Sequence, residues 1–258
     1  MATSGDLKQR LIEGRPAIGC WLAMDSPIAA EIVGQAGYDC VMIDHEHGPG
    51  TIASAVALMQ ALGASGCAPY MRVPANDPVL IKRALDAGVA GVMIPAVNSK
   101  AEAAAAVAAC RYPPRGVRGM AASIVRASNY GADWQDYVQR ADDALLVICQ
   151  IESGAAVDDV EAIAAVAGVD LLFIGPFDLS ANLGYLGQPD HPDVRKRIAA
   201  VERAAKAAGK LLGAIPTPER SIEDLLAAGY NLILADADSL FLRDGARASV
   251  ARFRDLMT

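Results

Sequence analysis

The feature that most constrains the fold is a rhythm. Eight short apolar runs recur along the chain, separated by stretches of helical pattern. The runs are Ala17–Leu22, Asp39–Ile43, Cys67–Val73, Gly91–Ile94, Ala144–Ile151, Val169–Ile174, Leu211–Ala214 and Asn231–Leu234. Runs that are apolar without alternation fit strands buried on both faces, and strand–helix alternation implies a parallel sheet covered by helices. Eight such units in 258 residues predict an α/β fold, a (β/α)8 TIM barrel forming a single domain over residues 1–258. An open doubly wound sheet would want a glycine-rich turn after the first strand. Ala23-Met24-Asp25 stands there instead.

Punctuation supports the helices. A first one is expected from about Asp6 to Gly14, before the first strand. Ser26-Pro27 and Asn76-Asp77-Pro78 open helices with a cap followed by proline, and Gly88 closes the second of these. Ile52–Leu62, Ser99–Cys110, the stretch from Pro192 to Gly209 and Ser239–Met257 supply others. The longest irregular segment is Arg111–Tyr130, and its Arg115, Arg118 and Arg126 are open to two readings, an anion site or solvated loop charges.

Composition removes several classes of function. The net charge is −7 with no basic block, which argues against nucleic acid. No apolar run approaches the ~18 residues of a membrane span, and the N-terminus lacks the apolar centre of a signal peptide. Cys20, Cys40, Cys67, Cys110 and Cys149 show no CxxC spacing. They read as reduced core residues of a cytoplasmic protein, with a catalytic thiol as the alternative.

In a barrel, residues at the C-terminal ends of the strands converge on one mouth. Here those residues are Trp21, Asp44 with His45 and His47, Arg72, Gln150 with Glu152, and Asp178. Asp44–His47 crowd four ionisable groups against an apolar strand, which is costly unless they are paired, bound to metal or used. The alternative is a polar turn capping the next helix. Trp21 could wall a pocket or simply fill the core. Arg72 can clamp a carboxylate or phosphate with two parallel hydrogen bonds. Glu152 and Asp178 suit a hard divalent ion such as Mg2+ or Mn2+. An acid/base pair and helix capping by Asp178 are the competing readings. No lysine ends a strand, which argues against a Schiff base.

Together the stretches GYDCVMIDHEHGP, YMRVPANDPVLIKRALDAG, RYPPRGVRG, QIES and FIGPFDLS resemble the class II pyruvate-dependent aldolases of the 4-hydroxy-2-oxoheptanedioate aldolase family, in the phosphoenolpyruvate/pyruvate barrel superfamily. The resemblance implies reversible aldol cleavage of 4-hydroxy-2-oxo acids to pyruvate, or a pyruvate-like 2-oxo acid, and an aldehyde. It implies a divalent metal (Mg2+, Mn2+ or Co2+) on Glu152 and Asp178. By the same carry-over His47 is the catalytic base, and Asp44 belongs to the catalytic set. Arg72 binds the keto acid and stabilises enolate charge, and Gln150 contacts the substrate. Asp86 orients the histidine, across a subunit contact. Many relatives carry Ala where this chain has Phe177, so Phe177 is expected to reshape the substrate pocket beside Trp21 and Asp178. The resemblance also implies a hexamer, a dimer of trimers, with the C-terminal helix packed on a neighbour; docking on its own barrel is the other possibility. Two further functions stay open: an acyl-CoA thioester lyase of the same superfamily, and a barrel that only binds a carboxylate.

Overall fold

The computed structural model describes residues 4–257, so residues 1–3 and 258 of the expected single domain lie outside what is described. The eight runs form eight strands: β1 (Ala17–Leu22), β2 (Cys40–Asp44), β3 (Ala68–Arg72), β4 (Gly91–Ile94), β5 (Leu146–Ile151), β6 (Leu171–Ile174), β7 (Leu211–Ala214) and β8 (Leu232–Ala237). Each pairs in parallel with its sequence neighbour, and β8 closes on β1, giving the expected barrel.

The period of two along each strand sorts side chains between the interior and the helical shell. Cys40 and Met42 of β2, Tyr70 of β3, Met93 of β4, Ile148 of β5 and Phe173 of β6 fill the interior. Val41, Ile43, Met71, Cys149 and Ile151 face the outer core with the helices. Space inside is tight: a Cβ on Gly91 would sit 2.9 Å from the Tyr70 ring, and one on Gly213 would sit 2.7 Å from the Phe173 ring. Glycine on one strand makes room for an aromatic ring on the next. Continuing the inward parity upward, the next positions are Asp44, Arg72 and Gln150. The apolar layers thus form the floor on which the polar mouth stands.

The opposite end is plugged by α1 (Ser4–Ile12), whose Leu7 and Leu11 join the interior cluster. Lys8 fixes it there, donating to Asp170 at 3.0 Å and to the Leu145 carbonyl at 2.7 Å. The barrel's seam is tied at the mouth side. Asp238, 5% exposed, accepts the backbone N–H groups of Ala23 at 2.9 Å and Met24 at 3.2 Å.

The outer shell contains α2 (Pro27–Gln35), α3 (Ile52–Ala61), α4 (Pro78–Ala87), α5 (Lys100–Cys110), α6 (Trp134–Ala144), α7 (Gly154–Asp158), α8 (Val160–Ala164), α9 (Pro176–Asn182), α10 (Pro192–Ala207), α11 (Ile222–Ala227) and α12 (Asp238–Asp255). The sequence reading did not place α6, α7, α8 or α11. The structure also trims β5, because α6 runs to Ala144, and extends β8 through Asp236 to Ala237. The segment 111–130 is irregular as expected, apart from a 3-10 turn at Arg126–Ser128. Its arginines bind their own chain: Arg115 pairs with Asp142 at 2.9 Å, Arg118 with Asp86 at 2.8 Å, and Arg126 donates to the Ala87 carbonyl at 2.8 Å. They staple this segment to α4 and α6, which replaces the anion-site reading, while the Arg115 side chain, 61% exposed, is also solvated.

Candidate active site

The turn after β2 is not a helix cap. Thr51 caps α3, in a reciprocal capping box with Ser54. That leaves Asp44 free for another task. Its Oδ1 accepts the backbone N–H of Glu46 at 3.1 Å and of His47 at 3.3 Å, so it shapes the turn that carries both residues. Its two carboxylate oxygens also take Arg72, Nε to Oδ1 at 2.9 Å and Nη2 to Oδ2 at 2.7 Å. Both side chains are buried, 6% and 7% exposed. Burial alone would raise the Asp44 carboxyl. The hydrogen bonds and charge of Arg72, with the two N–H groups of the turn, overcome that and hold it below the usual range.

Arg72 is held on three sides. Besides Asp44, its Nη1 lies 3.0 Å from Glu46 Oε2. Its guanidinium carbon lies 4.4 Å from the centre of the Trp21 ring, a cation–π stack. Trp21 in turn meets Phe173 edge to face, 6.2 Å between ring centres. Trp21 therefore fixes the plane of the guanidinium. Two of the five guanidinium N–H groups are hydrogen-bonded, both to Asp44, and Glu46 Oε2 is an ion-pair neighbour without a hydrogen bond, which leaves three N–H groups for an incoming ligand.

Across the mouth stand Gln150 and Glu152. Gln150 is 2% exposed, and its Nε2 donates to Glu152 Oε2. Glu152 Oε1 accepts the backbone N–H of Ala96 at 2.7 Å. Ala96 has φ +51°, a left-handed conformation costly for a residue with a Cβ, and this turns its N–H toward Glu152. Gly175 completes the corner, since a Cβ there would meet Gln150 Nε2 at 3.0 Å and Glu152 at 3.1 Å. Burial, with the charges of Glu46 and Asp178, pushes the Glu152 carboxyl up to about 7, against the pull of Ala96 and Arg72. Burial likewise raises Glu46, which feels both Asp178 and His47. Asp178 is the third residue of α9, whose cap position is Gly175 with no side-chain capping bond. The capping reading of Asp178 is therefore set aside.

The mouth thus gathers four carboxylates, Asp44, Glu46, Glu152 and Asp178, against one guanidinium. The donors are hard oxygens. Among the described residues, no three His, Cys, Asp or Glu side chains are grouped to hold a metal on their own. His47 is exposed beside this cluster. His45, its neighbour but one, turns elsewhere. Phe177 is 43% exposed at the start of α9, next to Asp178. Asp86 does not join the cluster: it lies in the last turn of α4, bonded to Arg118, which also donates to the Tyr137 hydroxyl at 2.8 Å. The sequence reading gave Glu46 no role and could not see the Ala96 N–H. A carboxylate inside a run of four ionisable residues was the signal for Glu46. A backbone donor on a separate loop leaves none.

The catalytic-thiol alternative fails on the same grounds. All five cysteines are buried and unpaired, and burial pushes Cys20, Cys67, Cys110 and Cys149 up to about 12.

Against known proteins, the model of the HpcH/HpaI aldolase/citrate lyase family matches residues 17–243, from the first strand into the last helix. The chain belongs to this family. HpcH/HpaI relatives include the hydroxypyruvate/pyruvate aldolase of Chromohalobacter salexigens, 41% identical over 94% of this chain and 95% of that protein. The 5-keto-4-deoxy-D-glucarate aldolase of Shigella dysenteriae is 40% identical over 96% of each. Among solved structures, an HpcH/HpaI aldolase/citrate lyase family protein from Burkholderia cenocepacia superposes with a TM-score of 0.92 at 41% identity, over 97% of this chain and 99% of that one. Like its aldolase relatives, this HpcH/HpaI chain is a carbon–carbon lyase. No helix among the described residues is long and apolar enough to cross a membrane.

Proposed function

We propose that this protein is a class II aldolase. It cleaves 4-hydroxy-2-oxo acids reversibly to an aldehyde and a short 2-oxo acid, pyruvate or hydroxypyruvate. The observation that carries the reading is the surplus of carboxylate at the mouth, where the half-buried Glu46 and Glu152 and the exposed Asp178 disfavour one another's charge beside a guanidinium already committed to Asp44. A divalent cation is the counter-charge such a set accepts. The buried Gln150 Oε1, which has no partner, adds a further oxygen acceptor beside it. Glu152 and Asp178 would hold the ion, and two protein carboxylates leave positions for substrate oxygens and water. Mg2+, Mn2+ and Co2+ all accept oxygen donors of this kind.

When bound, the ion supplies Lewis acidity at the keto oxygen as negative charge develops there. The remaining work falls to the chain. Arg72, preorganised by Asp44 and Trp21, offers its remaining N–H groups to the 2-oxo acid and adds positive charge beside that oxygen. His47, exposed at the rim on a turn shaped by Asp44, takes the proton of the 4-hydroxyl as the carbon–carbon bond breaks and returns it in the reverse direction. Gln150 fixes Glu152 and orients the acid. Trp21 and Phe177 supply the apolar surface for the aldehyde portion. The names of the aldolase relatives support a hydroxypyruvate or pyruvate donor.

A homo-oligomer belongs to this reading. The α12 helix is exposed along almost its whole length, with Phe241 46%, Leu242 61%, Phe253 64% and Leu256 83% exposed. Its own barrel does not cover it, so a second copy is the natural partner, in a hexamer by family likeness. Asp86 could reach a His47 only from such a neighbour. Five unpaired buried thiols support a reducing, cytoplasmic setting.

The test is pyruvate or hydroxypyruvate release from a panel of 4-hydroxy-2-oxo acids, with chelator and with each of the three ions. Release that chelator abolishes and one ion restores supports the proposal. No release with any ion overturns it, and release of a thiol from an acyl-CoA would redirect it to a thioester lyase.

A further inference from the structure

His45 sits between two residues of the site, Asp44 and Glu46, yet takes no part in the cluster. Its Nε2 is buried with no hydrogen-bond partner, and so is Oδ1 of Asp25, from the loop after β1. The two atoms face the same small space: a Cβ on Gly50 would lie 2.8 Å from His45 Nε2 and 2.9 Å from Asp25 Oδ1. Gly50 is therefore glycine for want of room. Asp25 holds φ +53°, a strained conformation for a residue with a Cβ that persists only where the surroundings enforce it. The residues on either side of this loop are fixed, Ala23 and Met24 by Asp238, and Ser26 as the cap of α2. Asp25 is thus a carboxylate on an anchored loop, facing the same space as an imidazole on the turn that carries Glu46 and His47, with no direct hydrogen bond or ion pair between the two. Burial pushes that imidazole below its ordinary value, against the pull of Asp25 and Asp44, which favours its neutral form.

We infer that Asp25 and His45 form a buried pair across Gly50, Nε2–H facing the carboxylate, which pins the β2 turn to the anchored β1 loop and makes His45 a positioning residue for His47. The inference rests on the aldolase reading only for its kinetic consequence. Its structural content is independent of substrate. Asp44 sets the turn from inside, and the His45–Asp25 pair sets it from outside.

The experiment uses the full chain with five variants, His45→Phe, His45→Gln, Asp25→Asn, Gly50→Ala and the double variant His45→Phe/Asp25→Asn, and two readouts. The first is hydrogen exchange at the backbone amides of Glu46 and His47 without substrate. The second is kcat and KM for release of the 2-oxo acid. His45→Phe should speed exchange at both amides about tenfold and lower kcat about tenfold, with KM within about twofold, because binding by Arg72 is untouched. His45→Gln, which keeps an N–H donor, should stay within about threefold of wild type in both readouts. The double variant His45→Phe/Asp25→Asn should be no worse than His45→Phe alone. Unchanged amide exchange in His45→Phe, or losses that multiply in the double variant, would overturn the pairing. Should His45→Phe fail to fold, Gly50→Ala, which puts a methyl group between the two atoms, carries the same expectation. A wild type with no turnover on any acid would defeat the aldolase reading, and the exchange data would still decide the pairing.

Discussion

Glu152→Gln should make the metal-free protein more stable, and only at high pH. The Glu152 carboxyl stands at about 7, against an ordinary 4.5, because burial, Glu46 and Asp178 all disfavour its charge. Between those two values the folded chain keeps a proton that the unfolded chain has lost. Stability therefore falls as pH rises through that window, and the full penalty is present above it. At about 1.4 kcal/mol for each pH unit, the gap amounts to up to about 3 kcal/mol, less what water reaching the partly exposed carboxyl recovers. Gln cannot ionise. Its Oε1 can still accept the Ala96 N–H, and Gln150 can turn its amide to present Oε1, which has no partner in the wild type. Denaturant unfolding of both proteins with chelator, at pH 4.5 and pH 8.5, measures the difference. The variant should match wild type at the lower pH and exceed it by about 2–3 kcal/mol at the higher. Parallel stability curves, or a variant weaker at pH 8.5, would refute the picture of a carboxylate crowded by its neighbours. The same substitution should weaken metal binding, since it removes the charge that the ion would offset.

Asp44→Asn should lower kcat/KM about a hundredfold, since it replaces an acceptor of two charge-assisted bonds, each worth about 1.5–3 kcal/mol, by a donor facing the Arg72 guanidinium; steady-state release of 2-oxo acid checks it, and near-wild-type activity would show Arg72 needs no such clamp. His47→Ala should lower kcat about 10²–10⁴-fold while changing unfolding free energy by no more than about 0.5 kcal/mol, as expected for an exposed side chain; calorimetry beside kinetics separates the two. Phe253→Glu should shift the protein to smaller species in sedimentation, by placing charge on the exposed face of α12, whereas an unchanged distribution would mean that face is not an interface.

Much of the architecture was legible because apolar runs and strand ends are local signals. Asp44, Arg72, Gln150, Glu152 and Asp178 could be placed at one mouth from their positions at or just after strand ends. What escaped depended on partners far along the chain. Asp44 looks like one more catalytic acid in sequence, and only the register of β2 against β3, with Asp44 beside Arg72, shows that it is spent on holding the arginine. The Arg115, Arg118 and Arg126 charges looked available because Asp142, Asp86 and the Ala87 carbonyl come from other elements. The α6 stretch WQDYVQRADDA offers so few apolar positions that its helix is set by its surroundings, with Asp142 buried against Arg111 and Arg115. Asp86 lies outside the cluster within one protomer, paired with Arg118.

The closing tie of the barrel has a mechanical side. Asp238 is at once the first residue of α12 and the group that holds the backbone of Ala23 and Met24. One carboxylate joins an exposed terminal lever to the loop that separates Trp21 from Asp25. Anything that grips that lever therefore acts with a short arm on the rim of the mouth. A neighbouring copy seated on α12 would do more than cover its apolar face: it would set the tension of the loop against which the arginine's aromatic backstop rests. Catalytic competence and quaternary assembly would then share one hinge pin.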